Sequence, residues 1–549
     1  MKHLLTKNGF AKWILLVIVI SIPTFVRMLQ PGINSMQDFP YFRVVEYSRC
    51  FQIGEFPCRW AQDAGLGYGE PVFNFYSHVP FLLGALLTNV VSSSVTSLKI
   101  VFALSFVGSA VGMFFLSREV WKNNYSALVS SVLYLYAPYR AVNVWVRGAL
   151  PESFAFIFFP FILYFFERYS KTKQIRWLVA FTLSLTLLML THNLSVLMFT
   201  LVLFVWCISS ALINKSVKTV VPMFLSFCLS LGISAFYLLP TVLESQYVRL
   251  ATTTVGYFDF RAHFITLNQI FISRFWGYGG STWGDGDGLS LSFGQAQGFF
   301  LFITIGVSTY SFFKSKQKQQ SATALILSLL TVLFLLLTHN KTAFIWEAFS
   351  PVMKYIQFPW RFLGVSLFCL SLSSGYVISI LNKKFVTIVT LIVVTITLLL
   401  NTQFFKEDLW FNQTDRELQS GELWVEQSRA SIGDYWPTFG PIPTTASERF
   451  TMKNQLVSGS MVPVTSVPQY IELPIAYFPG WSVFHDNEVV QTQATKEGLI
   501  SFTAHSVGNY QIRFTNTPVR EWGNAISVFS LMVLLCVFKY YSFKEKQIS

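Results

Sequence analysis

Long apolar runs separated by short polar breaks fill most of the chain, and they predict twelve membrane-crossing helices. The runs lie near 12–29, 98–117, 125–139, 153–168, 176–191, 194–213, 218–240, 297–313, 322–338, 360–381, 385–402 and 523–541. Each suits a hydrocarbon layer of roughly 30 Å. A further apolar stretch, Pro80 to Val91, is short and reads as an interfacial or re-entrant helix. The pattern changes after residue 402. Polar and apolar positions then alternate, in YIELPIAYF, GLISFTA and YQIRFT, with turn formers at Pro479-Gly480 and Asp486-Asn487. Period-two alternation between turns predicts strands, and the length suits one small sandwich. The expectation is an α-helical polytopic membrane protein with about twelve transmembrane helices and a small extracytoplasmic β-rich domain. Residues 1–402 form the membrane domain, 403–521 the β-rich domain, and 522–549 the final helix and tail.

Composition agrees and removes one class. Of 549 residues, 53% are hydrophobic and only 12% charged, about half the share in soluble proteins, so a soluble globule is excluded. The net charge of +13 does not signal nucleic acid, because the basic residues sit in short clusters between apolar runs. Those clusters read as topology. With both termini cytoplasmic and Pro80 to Val91 not crossing, 19 of the 40 Lys+Arg and three of the 27 Asp+Glu fall inside, leaving 21 and 24 outside. Letting that short stretch cross inverts every later loop and loses the asymmetry. The N-terminal apolar run is read as the first span, since no small-residue cleavage site follows it. Cys207, Cys228, Cys369 and Cys536 fall in spans; Cys50 and Cys58 share the first external loop, as a pair or as two free thiols.

Four external loops are long enough to carry chemistry: 30–97, 139–151, 241–295 and 339–359. Asp38 lies just past the first span, where a carboxylate can act on a lipid-borne substrate. Arg43, Arg49 and Arg59 follow, and guanidinium forks suit phosphate oxygens. The alternative is an interfacial loop whose acids and bases only pair with each other. Glu152 stands at the external start of the fourth span, as a second acid or as a carboxylate favouring a helix dipole, with Arg140 and Arg147 nearby. His192 and His339 occupy a repeated Leu-Thr-His-Asn at two external helix ends, as polar terminal groups or as phosphate contacts. Arg361 enters a span beside Pro359 and Trp360, where an Arg either snorkels or clamps a lipid phosphate. Asp285-x-Asp287, in a Gly-rich stretch, is only part of a Ca²⁺ loop; a mobile, acceptor-gating loop is the preferred reading.

An external Asp just after span one, Phe56-Pro57-x-Arg59-Trp60, Gly67-x-Gly69-x-Pro71 and Phe75-Tyr76 before a short apolar helix together resemble the GT-C glycosyltransferase superfamily. Within it the chain is most similar to bacterial membrane proteins called "6-pyruvoyl-tetrahydropterin synthase related". Phe358-Pro359-Trp360-Arg361-Phe362 and Pro479-Gly480-Trp481 add to the likeness. Pterin chemistry is not expected: nothing resembles a soluble Zn-His₃ pterin enzyme, and there are seven His. The resemblance implies an inverting glycosyltransferase of the bacterial cell membrane, with its active site extracytoplasmic. Its donor would be a polyprenyl-phosphate sugar, and its acceptor a cell-envelope glycan, lipid or protein. Asp38 then matches the general base and Glu152 a second acid, while Arg59, Arg147, Arg361 and His192 are the expected donor phosphate contacts. Asp38 has no acidic neighbour two residues away, so a divalent cation such as Mg or Mn stays open. Two other functions compete. A lipid-linked saccharide transporter or flippase calls for ionisable residues in mid-span, whereas here the acids cluster outside. A non-catalytic envelope assembly protein would tolerate loss of Asp38 and Arg361.

Overall fold

A computed structural model describes residues 2–213, 217–284, 286, 288–314, 317–450 and 457–548. Each of the twelve expected runs is helical. Eight helices are long and apolar enough to cross a membrane: Ser94–Trp121, Leu150–Thr172, Asn193–Leu212, Gln295–Lys314, Lys318–Leu337, Pro359–Ser379, Val386–Phe404 and Pro518–Glu545. Val220–Ile233 and Ala235–Leu243, bent by 69° at Ser234, make a ninth if taken as one broken span. Gly9–Thr24 and Ile175–Met189 are apolar but shorter, and Asn124–Leu135 has 12 residues. Length and composition therefore account for nine of the expected crossings among the described residues. Val79–Val91 is the short apolar helix expected there, and it packs between Pro40–Gln52 and Ser94–Trp121. The protein is a multi-pass membrane protein.

Small residues let the central helices approach. Gly108 and Gly112, spaced i and i+4, face Leu150–Thr172; a Cβ on Gly112 would lie 2.9 Å from Pro160 Cγ, and one on Gly108 3.1 Å from Ile157 Cδ1. Such close contact replaces the hydrophobic drive that lipid removes. Pro359–Ser379 sits at the centre, 94% of its apolar window buried, whereas Pro518–Glu545, at 17%, runs along the rim. Prolines in the first turn, where a missing N–H costs nothing, start Pro40–Gln52, Pro138–Trp145 and Leu150–Thr172.

Seven of the strands lie in 461–514. In chain order they are β1 Met461–Val464, β2 Gln469–Ala476, β3 Trp481–His485, β4 Glu488–Val490, β5 Thr492–Ala494, β6 Leu499–Ala504 and β7 Gly508–Phe514. They form two antiparallel sheets, β1-β7-β3-β4 and β2-β6-β5. Leu473, Ile475, Val483, Ile500, Phe502 and Ile512 fill the space between them. The stretch before the strands differs from the β-rich expectation. It has no period-two alternation, and its caps set helices instead: Thr414 and Glu417 form a capping box, followed by Gly421–Ser428 and Ile432–Tyr435. This stretch folds back onto the loops. Trp410–Phe411 pairs with Ile33–Asn34, and Trp424 packs 4.8 Å from the Phe42 ring. In the first loop Cys50 and Cys58 are joined as a disulfide.

Candidate active site

A cavity of about 280 Å³ opens where the first loop, one end of three membrane helices and the folded-back segment meet. It gathers five of the six residues to which the resemblance gives catalytic or phosphate-binding roles: Asp38, Arg147, Glu152, His192 and Arg361. Three backbone positions in the left-handed region shape it. Phe39, immediately after Asp38, has φ 44°, Gln357 has φ 65°, and Gly148 has φ 64°. L-residues other than Gly seldom adopt such φ, and where they do the surrounding fold must hold them. At Gly148 a side chain has no room either, since a Cβ there would lie 2.6 Å from Met36 Cβ. That close approach lets the Asp38 amide donate to the Arg147 carbonyl at 2.9 Å. On the other side of the turn, the Arg43 guanidinium donates to the Asp38 carbonyl and lies 4.6 Å from the Tyr76 ring. Asp38 is thus fixed by its backbone.

The two carboxylates differ in kind. Glu152 is buried and fully engaged: it accepts from the Tyr139 hydroxyl, from Asn143 Nδ2 at 3.1 Å and from Arg147 Nη1 at 2.9 Å, and Arg361 Nε stands 3.9 Å away. Asp38 is half-buried, and its carboxylate makes neither hydrogen bond nor ion pair among the described residues. Burial alone would depress the Arg147 guanidinium, but Glu152, Tyr139 and Asp38 outweigh it and hold its pKa above the ordinary range. Arg147 also donates to Asn143 Oδ1 at 2.5 Å and lies 4.6 Å from the Trp360 ring. Arg361 Nη1 donates to the Ile356 carbonyl at 2.7 Å and to Gln357 Oε1 at 2.9 Å. The Nη2 groups of both arginines make no hydrogen bond among the described residues. His192 Nδ1 lies 2.7 Å from the Ser195 hydroxyl. Burial pushes its pKa down to about 3, with Arg361 and Arg147 opposing Glu152, so the imidazole is neutral and can only exchange hydrogen bonds.

The remaining candidates lie elsewhere. Arg59 is buried outside the cavity, donating to Asn74 Oδ1 at 2.9 Å and to the Phe236 carbonyl at 2.8 Å, where it ties the first loop to the broken span. Arg140 lies among Phe106, Tyr134 and Phe156, and Arg49 pairs with Glu46 and Asp63. His339 caps a helical turn through the Lys341 amide. Asp285 and Asp287 lie outside the described residues. Among the described residues no group of three or more His, Cys, Asp or Glu is placed to hold a metal ion. The cavity's acids do not fit that role, because Glu152 is already committed to Arg147.

Beyond Phe75-Tyr76, which the sequence singles out, sequence reading missed the aromatic wall. Tyr76, Tyr237 and Tyr355 line the cavity, and so does Tyr435 from the folded-back segment, stacked on Phe75 with ring centroids 6.1 Å apart and planes 6° apart. Gly433-Asp434-Tyr435-Trp436 carried no spacing that joins it to residues 360 positions earlier.

The family described as "6-pyruvoyl-tetrahydropterin synthase related domain; membrane protein" matches residues 73–261. No curated protein matches in sequence. Among solved structures, the arabinofuranosyltransferase AftD from Mycobacteria is 11% identical, covers 76% of this chain and 28% of its own, and has a TM-score of 0.47. The oligosaccharyltransferase of Archaeoglobus fulgidus is 14% identical over 74% of this chain and 56% of its own, with a TM-score of 0.45. ArnT from Cupriavidus metallidurans, bound to undecaprenyl phosphate, is 13% identical over 70% of this chain and 63% of its own, with a TM-score of 0.40. This chain spans 28% to 63% of the length of these structures.

Proposed function

We propose that the protein is an inverting membrane glycosyltransferase that moves a sugar from a polyprenyl-phosphate donor to a cell-envelope acceptor on the extracytoplasmic side. The supporting observation is that, among the described residues, the Asp38 carboxylate is unpaired and lines the same cavity as two guanidinium groups whose Nη2 atoms make no hydrogen bond. In this reading the acceptor hydroxyl oxygen attacks the anomeric carbon, the bond from that carbon to the phosphate oxygen breaks, and the hydroxyl proton passes to Asp38. A group that must take a proton works best when no other donor occupies it. The bonding electrons leave on the phosphate, whose growing charge Arg147 and Arg361 stabilise. Glu152 does not exchange protons here; it orients both arginines and offsets one of their charges. The tyrosine wall offers flat faces for a sugar ring. Purified full-length protein should move labelled sugar from a defined polyprenyl-phosphate donor into an envelope extract, and it should co-purify with such a lipid. A protein that binds the donor and translocates it without transferring sugar would replace this reading with a flippase.

A further inference from the structure

The opposite end of the bundle holds a second cavity, of about 530 Å³. Five chain segments line it, four of them where helices end or begin and the fifth along Asn193–Ile213. Lys122 follows Ser94–Trp121, Lys171 and Lys173 close Leu150–Thr172, and Thr219 precedes Val220–Ile233. Gln319 and Gln320 come from the first turn of Lys318–Leu337.

The charges around it do not balance. Glu119 takes the ammonium of Lys122 at 2.6 Å and of Lys171 at 3.0 Å, and the Arg168 guanidinium at 3.4 Å, while Glu167 holds Lys171 at 2.9 Å. Lys173 reaches no carboxylate among the described residues: it donates to the Thr219 hydroxyl at 2.7 Å and lies 5.5 Å from the Tyr169 ring. Four cations thus face two carboxylates. One helix start adds to the excess, since Lys318–Leu337 has no side-chain cap. Uncapped first turns present N–H groups and the positive end of the helix dipole. Beside the cavity, Phe204, Ile208 and Leu212 form an exposed apolar stripe at one-turn spacing on Asn193–Ile213, whose Ser209 lines it.

We propose that this cavity binds an anionic phosphate ester, on the membrane face opposite the candidate active site. Lys173 is its cation without a carboxylate partner among the described residues, and the start of Lys318–Leu337 and the remaining lysines complete the cradle. The apolar stripe gives a lipid tail a path, and a free phosphoester would use the same cradle without it. This site is independent of sugar transfer.

Thermal unfolding of the purified full-length protein in detergent tests it, because a ligand that binds the folded state raises the midpoint. Short-chain phosphatidylglycerol, short-chain phosphatidylcholine and inorganic phosphate are titrated separately. Stabilisation by phosphatidylglycerol alone assigns a lipid headgroup; stabilisation by inorganic phosphate as well assigns a soluble phosphoester. In either case Lys173→Ala, which orphans no carboxylate, should weaken the apparent affinity about tenfold, as loss of a charged hydrogen bond requires. Lys173→Arg should keep most of it. Lys383→Ala/Lys384→Ala, on the same face but outside the cavity, should change little. No stabilisation by either anionic ligand would overturn the proposal, as would equal loss in the Lys383/Lys384 variant, which would mean that surface charge alone is read.

Discussion

The two ends of the Leu150–Thr172 helix carry ion pairs of the same kind in opposite surroundings. At its start the Arg147 and Glu152 side chains are 6% and 4% exposed. At its end Lys171 is 43% exposed and Lys122 59%, around carboxylates that are themselves mostly covered. A buried pair is expensive to break, because the partner left behind has no water to turn to. An exposed pair is worth little, since water and salt replace the lost contact. The first arrangement fixes geometry and the second supplies charge, which suits the proposed chemistry at one end and the proposed anion site at the other.

The comparison breaks most visibly at Glu152. Glu152→Gln should destabilise the protein by about 3–5 kcal/mol, the usual cost of removing one member of a buried pair, and should abolish transfer because both arginines lose their anchor. Denaturation in detergent alongside an activity assay checks both. A variant as stable as the parent would mean that the pair is not part of the frame.

Next in size is Arg361→Ala, expected to weaken donor binding by about 1.5–3 kcal/mol with a smaller effect on turnover. Arg361→Lys should recover only part, because the planar fork is lost. Equilibrium binding of a polyprenyl-phosphate sugar measures this.

A third test concerns Glu46, in the first loop. Burial, reinforced by Asp63 and only partly offset by Arg49, pushes its pKa up to about 7. The folded state therefore holds a proton that the unfolded chain, at its ordinary value of 4.5, has released. This contribution to stability is full below about pH 4.5 and is lost as pH rises to about 7, after which it is flat. Glu46→Gln should remove that slope, as thermal midpoints between pH 5 and 8 will show. The smallest effect belongs to the exposed end: Lys171→Ala should change stability by less than about 1 kcal/mol and lose even that at high salt. A change of several kcal/mol there would erase the contrast.

The helices were legible because each is a run of apolar residues, and the sandwich because its alternation is local. Asp38, Arg147, Glu152, His192 and Arg361 were legible as polar residues at helix ends and loop starts, positions that apolar solvent leaves for chemistry. Their division of labour was not, because it depends on which carboxylate acquires partners across the chain. Arg59 looked equivalent to Arg361, yet it is consumed by Asn74 and the Phe236 carbonyl. Tyr435 depends on a segment that folds back over some 360 residues, and the folded-back stretch was expected as strand because the alternation that follows it was extended too far. The short helices Asn124–Leu135 and Ile175–Met189 show the same limit, since apolar composition does not fix where a helix stops.

The central claim is that Asp38 accepts the acceptor's proton. Asp38→Asn keeps the side chain's shape and leaves untouched the backbone contacts that hold the turn, so folding and donor affinity should match the parent. Asp408→Asn, at an exposed position outside the cavity, serves as the control and should transfer normally. Sugar transfer from a defined polyprenyl-phosphate donor by purified protein is predicted to fall about 10²- to 10⁴-fold in Asp38→Asn, the usual worth of a general base. Near-parental transfer at unchanged donor affinity would contradict the account.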